Sequence, residues 1–235
     1  MTTTTPAPVA ARPRTATIGA ILLIAGTLQF FIAHLITQAA WTSPAYSLWN
    51  NYISDLGATV CGPVLQNYVC SPLHPIMNAA FILQGVLLLI GIGLLIRSRL
   101  VHTRPRAWQI MVAIAGISWI LVGLMPENVN LTGHSIGALP IFILGNIALI
   151  AAGISRSTRT MPVARRSAVI LGIAGLIGFI LTAIAVSNPT GPIGIGVAER
   201  ITVFPLQIWA LIAGAAILRS PMTTSREDHS DIAGV

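Results

Sequence analysis

Six apolar stretches, each close to 20 residues long, constrain this chain more than any other feature of its sequence. A helix needs about 20 apolar residues to cross the roughly 30 Å hydrocarbon layer of a membrane. None of the six carries Asp, Glu, Lys or Arg in its middle, and lipid-embedded helices tolerate the glycines and prolines inside them. The stretches run Ala16–Gln38, Pro72–Ile96, Ala107–Met125, His134–Ile154, Ser167–Val186 and Ala198–Leu218. We expect an all-α polytopic membrane protein with a bundle of six transmembrane helices.

The composition excludes several other classes of protein. Only 8% of the residues are charged and 54% are hydrophobic, whereas a soluble domain carries about 25% charged residues. A cytosolic enzyme, a nucleic-acid-binding domain and a disordered chain are therefore excluded. The net charge of +7 has another explanation, which lies in the placement of the basic residues.

All 13 basic residues are arginines, and their placement predicts the orientation. Twelve precede the first stretch, follow the last, or lie in the loops at 97–106 and 156–166; only Arg200 lies at the opposite side. The positive-inside rule then puts both termini in the cytoplasm, in agreement with an even number of spans. We expect a multi-pass protein of a bacterial plasma membrane, with mobile cytoplasmic segments at 1–15 and 219–235 around one membrane domain at 16–218.

The expected partners follow from this location. Membrane lipids contact such a protein in any case, and a homo-oligomer or a larger membrane complex remains open. No nucleic-acid partner is expected, because the basic loops are explained as topology signals beside anionic lipid heads.

The first outer loop, residues 39–71, contains the pattern of a short interfacial helix at 44–56. Ser43-Pro44 is typical of a helix start and Gly57 of a helix end. Apolar side chains between them recur on one face, at Tyr46, Trp49, Ile53 and Leu56. Such a helix would lie on the outer membrane surface with its polar side towards any pocket beneath it.

Cys61 and Cys70, the only cysteines, lie in this same loop. An even pair outside the cytoplasm predicts a disulfide that holds the loop in shape. A pair of thiolate metal ligands is less favoured in an oxidising compartment.

Ionisable side chains gather at the ends of the stretches opposite the arginine loops. They are His34, Asp55, His74, Glu127, His134, Glu199 and Arg200. Polar residues collect at the ends of membrane helices in any such protein, but a chain this poor in charge makes the concentration notable. We expect an outward pocket formed by Asn51, Ser54, Asp55, His74, Glu127, His134 and Arg200, in which Arg200 is an anion hook or the counter-ion of a carboxylate.

The histidines raise the question of a bound metal. His34, His74 and His134, with Asp55 or Glu127, could supply the three ligands of a catalytic zinc site, and a haem site among the same histidines is a further alternative. No H-E-x-x-H spacing is present, however, so their convergence is an assumption. Serine catalysis has less support, since there is no G-x-S-x-G elbow and Ser54 is merely adjacent to Asp55.

Polar residues inside the stretches bear on transport. They are Thr27, Gln29, Gln84, Ser118, Asn146, Thr182 and Gln207. No charge accompanies them for ion coupling, so we expect them to form hydrogen bonds between helices. Gly172, Gly175 and Gly178, together with Ala174, favour close helix packing, either internal or between subunits.

Three sequence segments resemble one known family. They are YSLWNNYISDLG at 46–57, MPENVN after the third stretch, and HSIGALPIFILGN at 134–146. The chain resembles, over roughly residues 16–218, the bacterial membrane family catalogued as domain of unknown function 998. The resemblance implies a multi-span helical bundle and strengthens interest in Asn51, Ser54, Asp55, Glu127 and His134, but implies no reaction.

Three functions follow from these observations. The one we favour is an outward pocket that binds a lipid or a small envelope ligand. The alternatives are a metal-dependent intramembrane hydrolase or transferase and a small transporter.

Overall fold

The structure, a computed structural model, describes residues 12–98, 106–155 and 162–220. Its helices are α1 (Arg14–Ala40), α2 (His74–Arg97), α3 (Ala107–Leu124), α4 (Leu131–Phe142), α5 (Leu144–Ile154), α6 (Pro162–Ser187) and α7 (Ile195–Arg219). A two-stranded sheet pairs β1 (Gly62–Val64) with β2 (Asn67–Val69). Within these ranges six helical segments are long and apolar enough to cross a membrane, with α4 and α5 together forming the fourth. The six-span bundle predicted from the sequence is confirmed.

Both ends of the described chain meet at one end of the bundle. The Arg12 guanidinium donates hydrogen bonds of 2.8 Å to the carbonyls of Leu218 and Ser220, which ties the start of α1 to the end of α7. We call this the arginine end, and we call the opposite end, which carries the loops at 41–73, 125–130 and 188–194, the acidic end. The segments expected to be mobile lie almost entirely outside the described residues, as α1 begins at Arg14 and α7 ends at Arg219.

The fourth span is interrupted at Ile143, between α4 and α5. Pro140 lies inside α4 and has no N–H for the helical ladder, which accounts for the break. The Asn146 side-chain amide donates to the Phe142 carbonyl at 2.7 Å and to the Thr202 carbonyl of α7 at 2.9 Å. The amide therefore links the interrupted span to α7, which contains Pro205.

Small residues and polar residues inside the spans serve the packing of the bundle. Gly172 and Gly175 lie against Asn146, and Gly178 lies against the backbone of α7, so the α6 glycines face inward. Gln84 donates to Gln207 at 2.7 Å, and Thr27 donates to the Gln207 carbonyl at 3.3 Å. The expected hydrogen bonding between helices is present at these positions.

The outer loop differs from the expected interfacial helix at 44–56. The chain there forms turns, followed by a 3-10 helix only at Ser54–Gly57. Ile53 and Leu56 are buried in the bundle core, while Trp49 is 54% exposed. Ile53 and Leu56, which the sequence pattern predicts on the lipid-facing side of a helix, therefore pack against the protein instead. The Cys61–Cys70 disulfide is present in the structure, and it joins the ends of the segment that contains the hairpin.

A candidate polar cavity at the acidic end

The outer loop rests on the first two turns of α7. The Gly196 amide donates to the Trp49 carbonyl at 2.9 Å, and the Glu199 carboxylate accepts a hydrogen bond from the Ile53 amide. A Cβ at position 196 would collide with the Asn51 and Leu48 carbonyls, so glycine is required for this approach. Through these contacts the loop covers the acidic end of the bundle.

Arg200 holds the loop from below. Its Nη1 donates to the carbonyls of Gly196, Asn51 and Leu48 at 2.6, 3.0 and 3.3 Å, and its Nη2 donates to the Tyr46 hydroxyl. The same Nη2 lies 3.4 Å from His34 Nε2. Burial raises the pKa of Tyr46, so its hydroxyl stays protonated and donates to the Tyr52 carbonyl at 2.8 Å. Arg200 therefore holds the loop backbone in place through hydrogen bonds.

This arrangement corrects the role expected for Arg200. Within the described parts of the chain its hydrogen bonds go to carbonyl oxygens, Tyr46 and His34, and none goes to a carboxylate. It is therefore not the hydrogen-bonded counter-ion of Asp55, Glu127 or Glu199. Its Nη1 and Nη2 are occupied by these contacts, while its Nε–H is buried without a hydrogen-bond partner in the described chain.

Three of the predicted residues, Ser54, Asp55 and Glu127, lie together in one buried group. The Ser54 hydroxyl donates to Glu127 Oε2 at 2.6 Å, and the Glu127 carboxyl lies close enough to Asp55 for the two groups to interact electrostatically. Burial, followed by the interaction with Asp55, raises the pKa of Glu127 well above its ordinary value. Asp55 is 0% exposed and Glu127 is 3% exposed, so both carboxyl groups are buried.

Asp55 is oriented by its own neighbours in the outer loop. Its Oδ2 accepts hydrogen bonds from the Asn51 side chain at 2.8 Å, the Tyr52 amide at 3.0 Å and the Asn67 side chain at 2.9 Å. Its Oδ1 and Glu127 Oε1 are buried, and neither has a hydrogen-bond partner in the described chain. Each carboxyl group therefore has one oxygen that is not used in a hydrogen bond.

A small cavity of about 30 Å³ lies beneath the 3-10 helix. Its polar lining consists of Ser54, His134 and Glu199, which all stand at the acidic end of their elements. The remaining lining is apolar and extends deeper, to Ile53, Phe81, Trp119, Val122, Ala138, Ile141, Phe142 and Val203. The cavity therefore has a polar end and apolar walls. The Trp119 indole N–H is buried without a hydrogen-bond partner.

The predicted histidines occupy three separate places. His134 lines the cavity, with its Nδ1 donating to the Met125 carbonyl at 2.9 Å, and His34 lies between Phe30 and Phe204 beside Arg200. His74 donates to the Ser71 carbonyl at 3.0 Å at the start of α2. No group of three or more His, Cys, Asp or Glu side chains with metal-binding spacing occurs in the described ranges. In the described ranges, the set His34, His74 and His134 is therefore not assembled as a zinc site.

A second, wider cleft opens on the surface of the same end. It has a volume of about 390 Å³ between the outer loop and the segment before α7, and its lining includes Trp49, Gln66, Asn67 and Thr190. It does not contain Ser54, His134 or Glu199. The inner cavity is the stronger candidate site, because buried polar groups converge there on an apolar space.

Sequence reasoning missed several residues of the site. Glu199 was noted among the ionisable groups but not placed in the pocket, and Phe81 and Trp119 gave no signal that distinguishes them from core aromatics. Asn67 bridges the hairpin to Asp55, a long-range contact without a local sequence pattern. Asn51, Ser54, Asp55, Glu127 and His134 were placed at the acidic end, and the structure brings all five to the cavity or the adjoining carboxyl group.

Comparison with known proteins gives a family but no activity. No curated protein and no solved structure matches the chain. One family model, described as protein of unknown function (DUF998), matches residues 24–216, which include every helix that lines the cavity. The chain therefore belongs to the DUF998 family of proteins of unknown function.

Proposed function

We propose that this membrane protein binds an amphipathic ligand, with the polar part at Ser54, His134 and Glu199 and the apolar part against the deeper walls. The observation that carries the proposal is the cavity with one polar end and apolar walls. At about 30 Å³ it is much smaller than the roughly 300–1,000 Å³ usual for ligand pockets, so its apolar walls must move apart to admit more than a small end of the ligand.

The orientation is part of the proposal. Arginines flank the bundle at one end, where both ends of the described chain also meet. Because cytoplasmic loops carry the excess of positive charge, we place the arginine end in the cytoplasm and the cavity in the outer leaflet of a bacterial plasma membrane. Lipids and small molecules of the cell envelope are then the available ligands.

The polar end favours an uncharged headgroup. Glu199 stands at the cavity, and the pair of Asp55 and Glu127 adjoins it, so a phosphate there would meet acidic groups. Arg200, the cation nearest to these acids, is already bonded to the loop carbonyls. A hydroxyl can donate to a carboxylate, and an ester carbonyl can accept from the unpartnered Trp119 N–H. A diacylglycerol or a similar neutral ester-alcohol fits both requirements.

Photo-crosslinking in nanodiscs tests the proposal. A diacylglycerol and the phosphatidate of the same chains, each with a diazirine on one acyl chain, are compared on the wild type and on Ala138→Phe, which fills the cavity. The matched control is Ala183→Phe, since Ala183 is exposed on α6. We expect the diacylglycerol to crosslink more than the phosphatidate, with the signal reduced about tenfold by Ala138→Phe alone. Equal crosslinking in all three proteins would overturn the proposal.

A further inference from the structure

The hydroxyls of Ser54 and Ser71, both in the outer loop, donate hydrogen bonds to different kinds of acceptor. Its hydroxyl lines the cavity and donates to a carboxyl oxygen, Glu127 Oε2, at 2.6 Å. Ser71, by contrast, donates to the backbone carbonyl of Leu56, which cannot take up a proton. A serine hydroxyl becomes a useful nucleophile only when a neighbouring base can accept its proton.

Glu127 is in turn backed by a second, oriented acid. Its carboxyl lies beside that of Asp55, and three donors fix the Asp55 side chain. Burial and the charge of Asp55 raise the pKa of Glu127, so Glu127 holds its proton more tightly than an exposed glutamate does. A nucleophile bonded to a base that a third group orients is the general geometry of covalent acyl-transfer catalysis.

We propose that Ser54, Glu127 and Asp55 form a serine acyl-transfer site that acts on an ester of the amphipathic ligand. This inference rests on the proposed function, because the cavity must hold the ester beside Ser54. It extends that function from binding to a reaction and requires no bound cofactor.

The step balances with the groups present. Ser54 Oγ forms a bond to the ester carbonyl carbon, its proton passes to Glu127 Oε2, and the proton that Glu127 already holds moves to the neighbouring Asp55 carboxylate. The bond from the carbonyl carbon to the alcohol oxygen then breaks, and the carboxyl pair returns one proton to that oxygen. The products are an acyl-Ser54 ester and a free alcohol, and attack by water or a second alcohol releases the acyl group and restores Ser54.

The cavity walls supply the surroundings that this chemistry needs. Trp119 lines the cavity and its buried indole N–H has no hydrogen-bond partner in the described chain, so this proposal assigns it to the carbonyl oxygen, on which negative charge develops. The apolar walls keep water scarce, which strengthens the hydrogen bonds to Glu127 and Asp55. Ser54, Glu127 and Asp55 come from two loops that pack together, and Thr59 and Asn128 fasten these loops by two hydrogen bonds of 3.0 Å.

Labelling with a long-chain alkyl fluorophosphonate tests the inference on the full-length protein in detergent. Intact mass and peptide sequencing should find one adduct, on Ser54, and Ser54→Ala should lose it. Glu127→Gln should slow labelling about 100-fold or more, because general-base assistance contributes 10²–10⁴-fold. The control Ser187→Ala, which changes an exposed serine at the end of α6, should label like the wild type.

A second measurement keeps the inference testable if Glu127→Gln fails to fold. The wild type unfolded in sodium dodecyl sulfate should not label at Ser54, because the hydroxyl has then lost its base. Labelling at the same rate in the folded and unfolded proteins would overturn the inference.

The two proposals fail in different ways. A folded protein that crosslinks the diacylglycerol in its cavity but leaves Ser54 unlabelled contradicts acyl transfer and leaves ligand binding intact. A protein whose Ser54 is labelled just as fast by a short-chain as by a long-chain fluorophosphonate, and which crosslinks no lipid, contradicts binding of an amphipathic ligand.

Discussion

Glu127 is a carboxyl group in surroundings that oppose its ionisation. It faces Asp55 and Ser54 from the outer loop and Glu199 from α7, and burial is the largest cause of its raised pKa. A folded-state pKa above the unfolded value means that the folded protein binds the proton more tightly. The stability that this proton provides is therefore lost as the pH rises.

The corresponding prediction concerns thermal unfolding in detergent. Stability should be greatest below the ordinary glutamate value of 4.5 and should fall as the pH rises from there through the raised pKa. Glu127→Gln should flatten this part of the profile, because glutamine does not titrate. A wild-type melting temperature that rises over the same range, with the mutant profile unchanged, would contradict the assignment.

A substitution at Arg200 tests whether its hydrogen bonds to the loop matter, or only its positive charge. Lysine keeps the positive charge but cannot reproduce the planar guanidinium that meets the Gly196 and Asn51 carbonyls and Tyr46 together. Arg200→Lys should therefore lower the free energy of unfolding by about 2–4 kcal/mol, as expected when buried polar groups lose their partners. The control Arg166→Lys, at an exposed position of the arginine end, should change stability little. Equal, small effects of the two changes would contradict the claim that the hydrogen bonds of Arg200 hold the loop in place.

Residue types indicated part of the site, because charge is so scarce in this sequence. Asp55, Glu127 and His134 stood out at the acidic end for that reason. The sequence could not show that Ser54 forms a hydrogen bond with Glu127, 73 positions away. Nor could it show that Arg200, within the described chain, forms hydrogen bonds with backbone carbonyls and none with the carboxyl groups. Both outcomes depend on how the outer loop sits on α7.

At the scale of elements, the spans were predictable and the outer loop was not. Apolar length alone fixes a membrane helix, since every backbone group must be bonded within the segment. The loop had the periodicity of a helix at 44–56, but the Ile53 and Tyr52 amides donate to the side chains of Glu199 and Asp55. Side-chain acceptors, one within the loop and one on α7, replaced helical carbonyls, and a local pattern cannot reveal the acceptor on α7.

The contact between α5 and α6 provides a prediction about packing. A Cβ at Gly175 would overlap the Asn146 side-chain amide, which links the interrupted fourth span to α7. Gly175→Ala should cost about 1–3 kcal/mol of unfolding free energy, as overpacking does. Gly93→Ala is the matched control, because a Cβ there meets nothing within 4 Å. A comparison of melting temperatures that shows no difference between the variants would contradict this packing.

At the scale of the whole molecule, the arginine distribution predicts the orientation in the membrane. Ser187→Cys places a thiol at the acidic end and Ser220→Cys places one at the arginine end. In intact cells a membrane-impermeant maleimide should label Ser187→Cys and spare Ser220→Cys until the cells are permeabilised. The reverse pattern would contradict the orientation and would place the cavity on the cytoplasmic side.

The whole-molecule account depends on a ligand in the cavity beneath the outer loop. Peptide mapping of the crosslink formed by the diazirine-bearing diacylglycerol tests this claim most directly. We predict that the adducts concentrate on residues that line the cavity, such as Phe81, Trp119 and Ile141. Adducts spread over lipid-facing residues such as Ile32, Ile170 and Ile180, with none in the cavity, would contradict it.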